Sequence, residues 1–248
     1  GFRRGQIQLI YKITSNEDFV PMIQVSVGEA TKESSGFVKK STTKPVVGAD
    51  NMAGSPMIQG RVSAKMKKKY ELGVFFVSAS YDDDPDTSAY TYGTSGFGVD
   101  FNLPLHKYFA LKGEFNTGTN LNNANLFNVA GNHGWDVDTA TGADNVDIDK
   151  LCMGLWFNIT SKIHDHFNLV IGYGMDMNQT DDLGVGAIES NSVFYADLIF
   201  PIKHGFSVAL ELQSISTTIG EVNVTDPTLV DFNAKSAMVI NLAGKVTF

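Results

Sequence analysis

The sequence predicts an all-β fold, an antiparallel up-and-down barrel that crosses a membrane on its strands, and three observations predict it. Apolar and polar residues alternate with a period of two through one segment after another, with almost no helical i, i+3, i+4 spacing. Short and long links between the segments follow one another in strict alternation. Aromatic residues collect on the apolar parity of the segments, close to the short links.

Taken in order, the alternating segments are 4–14, 19–29, 56–66, 69–81, 94–103, 107–117, 150–160, 166–177, 191–201, 204–216 and 236–248, eleven strands in all. Strand side chains point to opposite faces in turn, so each segment has two readable sides. One parity carries Ile7 and Leu9, Val25 and Val27, Leu72 and Val74, Val99, Leu155, Leu169 and Ile171, Val208 and Leu210. In the last segment, Met238, Ile240, Leu242, Gly244, Val246 and Phe248 share it, up to the final residue. The opposite parity carries amides, hydroxyls and charges. Links are short near 15–18, 67–68, 104–106, 161–165 and 202–203, and long over 30–55, 82–93, 118–149, 178–190 and 217–235. That asymmetry gathers the tight turns at one end of the sheet and the long loops at the other. Outer-membrane barrels have it as a rule, whereas a soluble Greek-key sandwich has no need of it.

The aromatic set is Tyr11, Phe19, Tyr70, Phe101, Phe109, Phe157, Phe167, Phe200, Phe206 and Phe248, each on the apolar parity and within a few residues of a short link. It is read as a girdle where the barrel wall meets lipid headgroups. A soluble sheet explains each ring as core but not their common placement beside the turns.

Composition agrees without deciding alone. A chain of 248 residues accommodates one large β domain or two ordinary ones, here read as a single barrel domain over 1–248. With 19% charged residues, 11% aromatics and 24 glycines it is too apolar and aromatic for disorder. No apolar run approaches the roughly 18 residues of a membrane helix, and no signal-like segment opens the chain. A net charge of -8 argues against nucleic acid as a partner. The lone Cys152 excludes an intramolecular disulfide.

On the polar parity the candidates for a pore lining are Arg4, Gln8, Lys12, Gln24, Arg61, Lys65, Glu71, Asp100, Lys112, Glu114, Asp197, Glu211 and Lys245. Opposed charge clusters across a constriction would set a transverse field and select solutes by charge and size. The plainer reading is that pairs such as Lys112 and Glu114 neutralise one another across strands and hydrate the lumen. Segments 4–14 and 56–66 hold most of the cations, so a basic ladder is expected there, with loop 118–149 or 30–55 folding inward.

Other chemistry has little support. His106, His164, His166 and His204 fall in or beside short links and His133 in the longest loop, none beside a Ser on a polar strand face, so no enzyme is expected. Asp82 to Asp86 and the series Asp136, Asp138, Asp144, Asp147, Asp149 lack the spacing of a calcium loop. No metal and no cofactor is expected. The basic stretch 32–44 would attract anionic solute or lipid phosphate, or is plain loop.

The stretches LWFNITSKIHDHFNLVIGYGMD and SVFYADLIFPIKHGFSVALELQSI resemble the final strands of the DcaP-like outer-membrane porins. RRGQIQLIYKI, GRVSAKM with LGVFFVSASY, and LKGEFNTGTNL resemble earlier strands of that family. The resemblance implies a sixteen-stranded trimeric channel for small solutes in the outer membrane of a Gram-negative bacterium. It implies contact with lipopolysaccharide and a terminal Phe248 read by the barrel-assembly machinery. The family's preference for anionic solutes sits badly with this chain's acidic balance. If segment 236–248 ends in the periplasm, counting back makes 4–14 run inward from outside, whereas a barrel chain starts in the periplasm. An even-stranded barrel then lacks at least one upstream strand, and a sixteen-stranded one lacks five, making this chain the C-terminal two-thirds. The rival expectation is a twelfth strand at 121–131. The function expected is passive diffusion of small polar or charged solutes, the alternative being a plugged barrel with a structural or adhesin-like role.

Overall fold

The computed structural model describes residues 6–13, 18–28, 53–67, 69–82, 91–121, 134–137, 144–148, 151–164, 166–179, 188–202, 206–223 and 230–246. Its strands are β1 (Gln6–Lys12), β2 (Phe19–Gly28), β3 (Ala53–Met66), β4 (Tyr70–Asp82), β5 (Thr91–His106) and β6 (Phe109–Thr119). A small pair follows, β7 (Gly134–Val137) and β8 (Asp144–Ile148). The series then resumes with β9 (Leu151–His164), β10 (Phe167–Asn178), β11 (Ile188–Pro201), β12 (Phe206–Val222) and β13 (Val230–Val246). Eleven of these form one antiparallel up-and-down sheet in chain order, with β6 pairing directly to β9 and the β7–β8 pair standing apart. A strand at 121–131 therefore does not intervene between β6 and β9; residues 122–131 lie outside the described set. The sheet is open, β1 and β13 each having a neighbour on one side only.

Burial shows which solvent this sheet was built for. Among the described residues only Met57, Val77, Ala79, Leu121 and Cys152 are buried hydrophobics. Large apolar side chains stand exposed along one face instead, among them Leu9 at 71%, Val74 at 55% and Leu242 at 78%. Among the described residues no second layer covers them, unlike a soluble sandwich, which buries its apolar face against a facing sheet. An apolar face without a protein partner is what a lipid-facing wall presents.

The register explains how the wall can curve. A row of directly opposed outer residues runs Tyr11, Ile23, Val62, Val74, Val99, Phe115, Leu155, Met175 and Ser192 across β1 to β11. Tyr11 lies one residue from the short-turn end of β1, whereas Ser192 lies nine residues before the corresponding end of β11 at Pro201. The row thus climbs the strands as it crosses them. That cumulative stagger accompanies strands tilted to the axis of a barrel.

Two elements differ from expectation. Residues 217–235 were expected to be loop, but β12 runs to Val222 and β13 begins at Val230. The expected loop 118–149 holds the β7–β8 pair.

Candidate functional site

The polar face carries the features with chemical capacity, and Arg61 stands at the centre of the first. Its five N–H groups all find acceptors: Nε reaches Asp100 Oδ2 at 2.8 Å and Nη2 reaches Asp100 Oδ1 at 2.5 Å and Glu71 Oε1 at 2.8 Å. Nη1 donates to Gln24 Oε1 at 3.1 Å and Ser63 Oγ at 2.8 Å. A guanidinium has five such donors, so this one is saturated by side chains from β2, β3, β4 and β5. The bidentate fork to Asp100 is the stronger kind of charge-assisted pairing. To reach it, Arg61 on β3 must cross β4, and it crosses over Gly73, which lies directly opposite both Ser63 and Asp100. A Cβ at Gly73 would sit 2.6 Å from Asp100 Oδ2 and 2.8 Å from Arg61 Nε. The bridge needs a residue without a side chain there.

Around this knot lies a concavity of about 550 Å³ lined by Gln8, Gln24, Arg61, Asp100, Lys112 and Glu114, with Phe75 and Trp156. Lys65 is exposed and directly opposes Glu71; Lys12 is exposed at the end of β1 and opposes Met22. The region expected to form a basic ladder therefore holds three described cations, Lys12, Arg61 and Lys65, of which Arg61 is paired with the carboxylates of Glu71 and Asp100. Arg4 lies outside the described residues, and of Lys245 only the backbone is described.

A second concavity, of about 750 Å³, lies against β9 to β12 and is lined by Glu114, Asn116, Trp156, Asp176, Asn191, Tyr195, Glu211 and Gln213 among others. Glu211 Oε2 accepts from Asn241 Nδ2 at 2.9 Å, and Glu114 Oε1 from Asn116 Nδ2 at 3.1 Å. Asp197 directly opposes Glu211 across the β11–β12 ladder. Trp156, Tyr195 and Phe75 were not singled out in the sequence, although the signal existed: each is on the parity opposite to a lipid-facing neighbour, Phe157, Phe194 and Phe76. Phe75 and Tyr195 lie over glycines of the adjacent strand, Gly98 and Gly172, where an added Cβ would come within 2.3 and 2.2 Å of the ring. Outside, Phe76 covers Gly60 and Phe101 covers Gly113 in the same manner. An aromatic over a cross-strand glycine shields backbone that the glycine leaves bare.

At the long-loop end the chain leaving β6 turns onto this same polar face. Asn120 is wholly buried with a left-handed backbone, φ 54°, a conformation its short amide side chain tolerates. Thr94 Oγ1 donates to Asn120 O at 3.0 Å, and Asn120 Nδ2 to Gly93 O at 2.9 Å. Leu121 then packs on Gly96 and Gly118, closing a small core with Met57, Val77, Ala79 and Cys152. The first residues of the longest link are thus pinned inward; loop 30–55 lies outside the described residues except for its last three, in β3.

On the outer face Tyr11, Phe19, Phe109, Phe157, Phe200 and Phe206 are exposed, while Tyr70, Phe101 and Phe167 are half-buried. Phe167 and Phe200 stack beside their turns with ring centroids 5.4 Å apart. Phe101 and Phe157 both flank Gly113, four residues farther from the turn than Phe109, and Phe157 meets Tyr173 at 6.1 Å. Phe248, His133 and His204 lie outside the described residues, as do 83–86, Asp138, Asp149 and the basic stretch 32–44. Asp136, Asp144 and Asp147 are described by backbone alone, on β7 and β8. His106 and His164 sit at short turns, where their Nδ1 atoms accept from the backbone N–H of Tyr108 and His166, each at 3.4 Å. Among the described residues no group of His, Cys, Asp and Glu is placed to hold a metal ion.

The fold is similar to that of the outer membrane channel DcaP of Acinetobacter baumannii, with a TM-score of 0.63 over 97% of this chain at 12% identity. This chain spans 62% of the length of that one. No family model and no curated protein matches the sequence. The likeness carries the architecture, an outer-membrane channel fold, and leaves the solute to the chemistry of this chain's own side chains.

Proposed function

We propose that the chain forms the wall of an outer-membrane porin, a passive diffusion channel for small polar or charged solutes in a Gram-negative bacterium. One observation carries the reading: a single continuous sheet has an uncovered apolar face on one side and, on the other, amides and carboxylates grouped around water-accessible concavities. A hydrocarbon solvent outside and water inside account for both faces at once. The residues from Gln8 to Lys245 on the polar parity would line the lumen. The ten aromatics from Tyr11 to Phe248 would mark the headgroup level beside the short turns, in contact with lipid and lipopolysaccharide.

We read the eleven strands as one stretch of a larger barrel, in keeping with the two open edges. The resemblance of the sequence to the DcaP-like porins implies a homotrimer and recognition of Phe248 by the barrel-assembly machinery. Asn120 and Leu121 turn the start of the 118–149 link toward the polar face.

The test is reconstitution of the full-length protein in planar bilayers. Stepwise ion conductance is the expected outcome. A silent bilayer from protein that is folded in detergent would overturn the channel reading and favour a plugged barrel with a structural or adhesive role.

A further inference from the structure

The turns at the short-link end of the sheet repeat a pattern that a channel wall does not require. Residues 66–70, 105–109, 163–167 and 202–206 read MKKKY, LHKYF, IHDHF and IKHGF, each an apolar residue, a basic residue, two further positions and the aromatic that opens the next strand. The twelve residues between those apolar and aromatic ends hold five lysines and four histidines against a single carboxylate, Asp165. The first turn, SNEDF at 15–19, departs from the pattern. At the other end, links 82–93, 118–149 and 178–190 contain twelve carboxylates and no lysine or arginine, although link 30–55 has four lysines. Apart from those two exceptions, the two rims are opposite in sign.

Because β4 pairs with β5 and β6 with β9, the turns β3–β4, β5–β6 and β9–β10 are neighbours along one rim, about 10 Å apart at about 4.8 Å per strand. The backbone N–H of Lys162 donates to Tyr108 O at 2.8 Å and ties two of them together. In the fourth turn, residues 203–205 lie outside the described ones. The ammonium groups stay with the aromatic belt: Lys69 Nζ lies 4.8 Å from the centroid of the Tyr70 ring, and Lys107 Nζ 4.7 Å from that of Tyr108. Among the described residues Lys67, Lys69 and Lys107 make no ion pair. Lys67 has a left-handed backbone, φ 49°, where turn geometry alone favours Gly or Asn and so does not account for a lysine. His106 and His164 accept from the backbone through Nδ1, which leaves Nε2 as the donor. Leu105, Ile163 and Ile202, each the residue before a basic one, are exposed.

An apolar side chain, a cation and an aromatic ring within five residues correspond to the parts of an anionic phospholipid: acyl chain, phosphate and the interfacial zone between them. A turn that met only water would need none of the apolar members. We propose that the rim formed by the β3–β4, β5–β6 and β9–β10 turns is a docking surface for anionic phospholipids, of the phosphatidylglycerol type, in the leaflet that the short turns meet. The inference rests on the reading of this chain as a membrane wall, and it names the lipid. Lys67, Lys69 and Lys107, with the histidine Nε2 donors, take the headgroup phosphates. Acyl chains lie on Leu105, Ile163 and the opening aromatics. Outer-membrane barrels turn their short links to the periplasm, so the leaflet is the phospholipid one and not the one that carries lipopolysaccharide.

The full-length protein is reconstituted in phosphatidylcholine vesicles with spin-labelled phosphatidylglycerol or spin-labelled phosphatidylcholine, and electron spin resonance measures the motionally restricted fraction of each. Phosphatidylglycerol should be preferred about threefold, and the preference should collapse in salt of about 1 M, where charges are screened beyond roughly 3 Å. Lys67→Gln, Lys69→Gln and Lys107→Gln together should abolish it, while an unchanged restricted phosphatidylcholine fraction shows that the variant is inserted. Lys12→Gln, Lys65→Gln and Lys112→Gln together, three lysines on the polar parity, should leave it intact. Equal loss in both triple variants would reduce the effect to net charge and overturn the rim, as would equal restriction of the two lipids by the unaltered protein. Unlabelled lipid A that displaces the phosphatidylglycerol label better than unlabelled phosphatidylglycerol does would assign the rim to lipopolysaccharide and overturn the choice of lipid. A restricted fraction without preference sinks the rim and leaves the membrane wall standing; no restricted fraction for either lipid sinks the wall as well.

Discussion

At the scale of single residues, the Arg61 knot shows how the polar face of the sheet holds charge. The guanidinium and its carboxylates are each about three-quarters covered, with side-chain exposures of 22% for Arg61, 28% for Glu71 and 22% for Asp100. Removing the cation leaves two neighbouring carboxylates facing each other with only partial access to water. Arg61→Ala is therefore expected to cost about 1–2 kcal/mol, less than a fully buried pair because water still reaches the site. Gly73→Val should cost a similar amount by driving the guanidinium off Asp100. In the Arg61→Ala background the same valine should cost little more, since the atoms it would strike are gone. The check is a double-mutant cycle by urea unfolding in lipid vesicles, with a coupling energy of at least about 1 kcal/mol expected. Additive effects would mean that Gly73 serves the backbone and not the bridge. The sequence placed Arg61, Glu71 and Asp100 on one face, since parity is a local property. It did not tell that they meet, because that depends on the register of β3, β4 and β5 together, and the clue at Gly73 is the absence of a side chain.

At the scale of elements, the alternation read the strands where one face is apolar and failed where both faces are polar. β12 and β13 are each 17 residues long. At about 3.4 Å per residue and a tilt near 40° such a strand rises roughly 44 Å, well beyond the roughly 25–30 Å of a hydrocarbon core. At the upper end of β12, Thr217, Thr218, Gly220 and Glu221 show no apolar stripe, as expected where both faces meet water, and the sequence there looks like a loop. What holds it as a strand is the ladder to β13 and a set of polar ties: Asn233 Nδ2 to Glu221 Oε2 at 3.0 Å, Asn223 Nδ2 to Asp231 Oδ2 at 2.9 Å, and Lys235 to Glu221. The short strands β7 and β8 escaped notice for the same reason, four and five residues in a polar link being too few to show a period. Glu221 stands above the spanning part of β12, and the Lys235 ammonium followed by the Asn233 amide holds its carboxyl below the ordinary glutamate range. A depressed folded value stabilises the ladder end above the ordinary pKa and loses that stabilisation as pH falls through the folded value. Lys235→Met should therefore raise the Glu221 titration toward the usual value near about 4.3. Carbon-13 shifts of the Glu221 carboxyl in micelles report this directly; identical titrations in both proteins would show that Lys235 is not the cause.

At the scale of the molecule, the open question of architecture is how β1 and β13 are satisfied. Each has one neighbour, and each would leave a row of backbone N–H and C=O groups without partners inside a membrane, where every such group costs several kcal/mol. Every pairing along the sheet is antiparallel, so with eleven strands β1 and β13 run in the same direction. Joining them directly would demand a parallel seam in an otherwise antiparallel wall, and would close eleven strands where bacterial single-chain barrels use an even number. It would also shrink the ring: eleven strands at about 4.8 Å spacing and about 40° tilt enclose a backbone radius of roughly 11 Å, which inward rings such as Trp156 and Tyr195 would largely fill. Closure by further strands removes all three difficulties, and a cysteine scan decides between the two arrangements. In the full-length protein with Cys152 and any further native cysteine changed to Ser, Gln8→Cys is combined in turn with Val239→Cys, Asn241→Cys or Ala243→Cys, all on the inward parity near the two edges. If additional strands stand between β1 and β13, oxidation yields no intramolecular disulfide in any pair, since the cysteine Cα atoms must approach within about 7 Å. A disulfide in one register would establish the parallel seam, and with it a barrel too narrow for the solutes proposed.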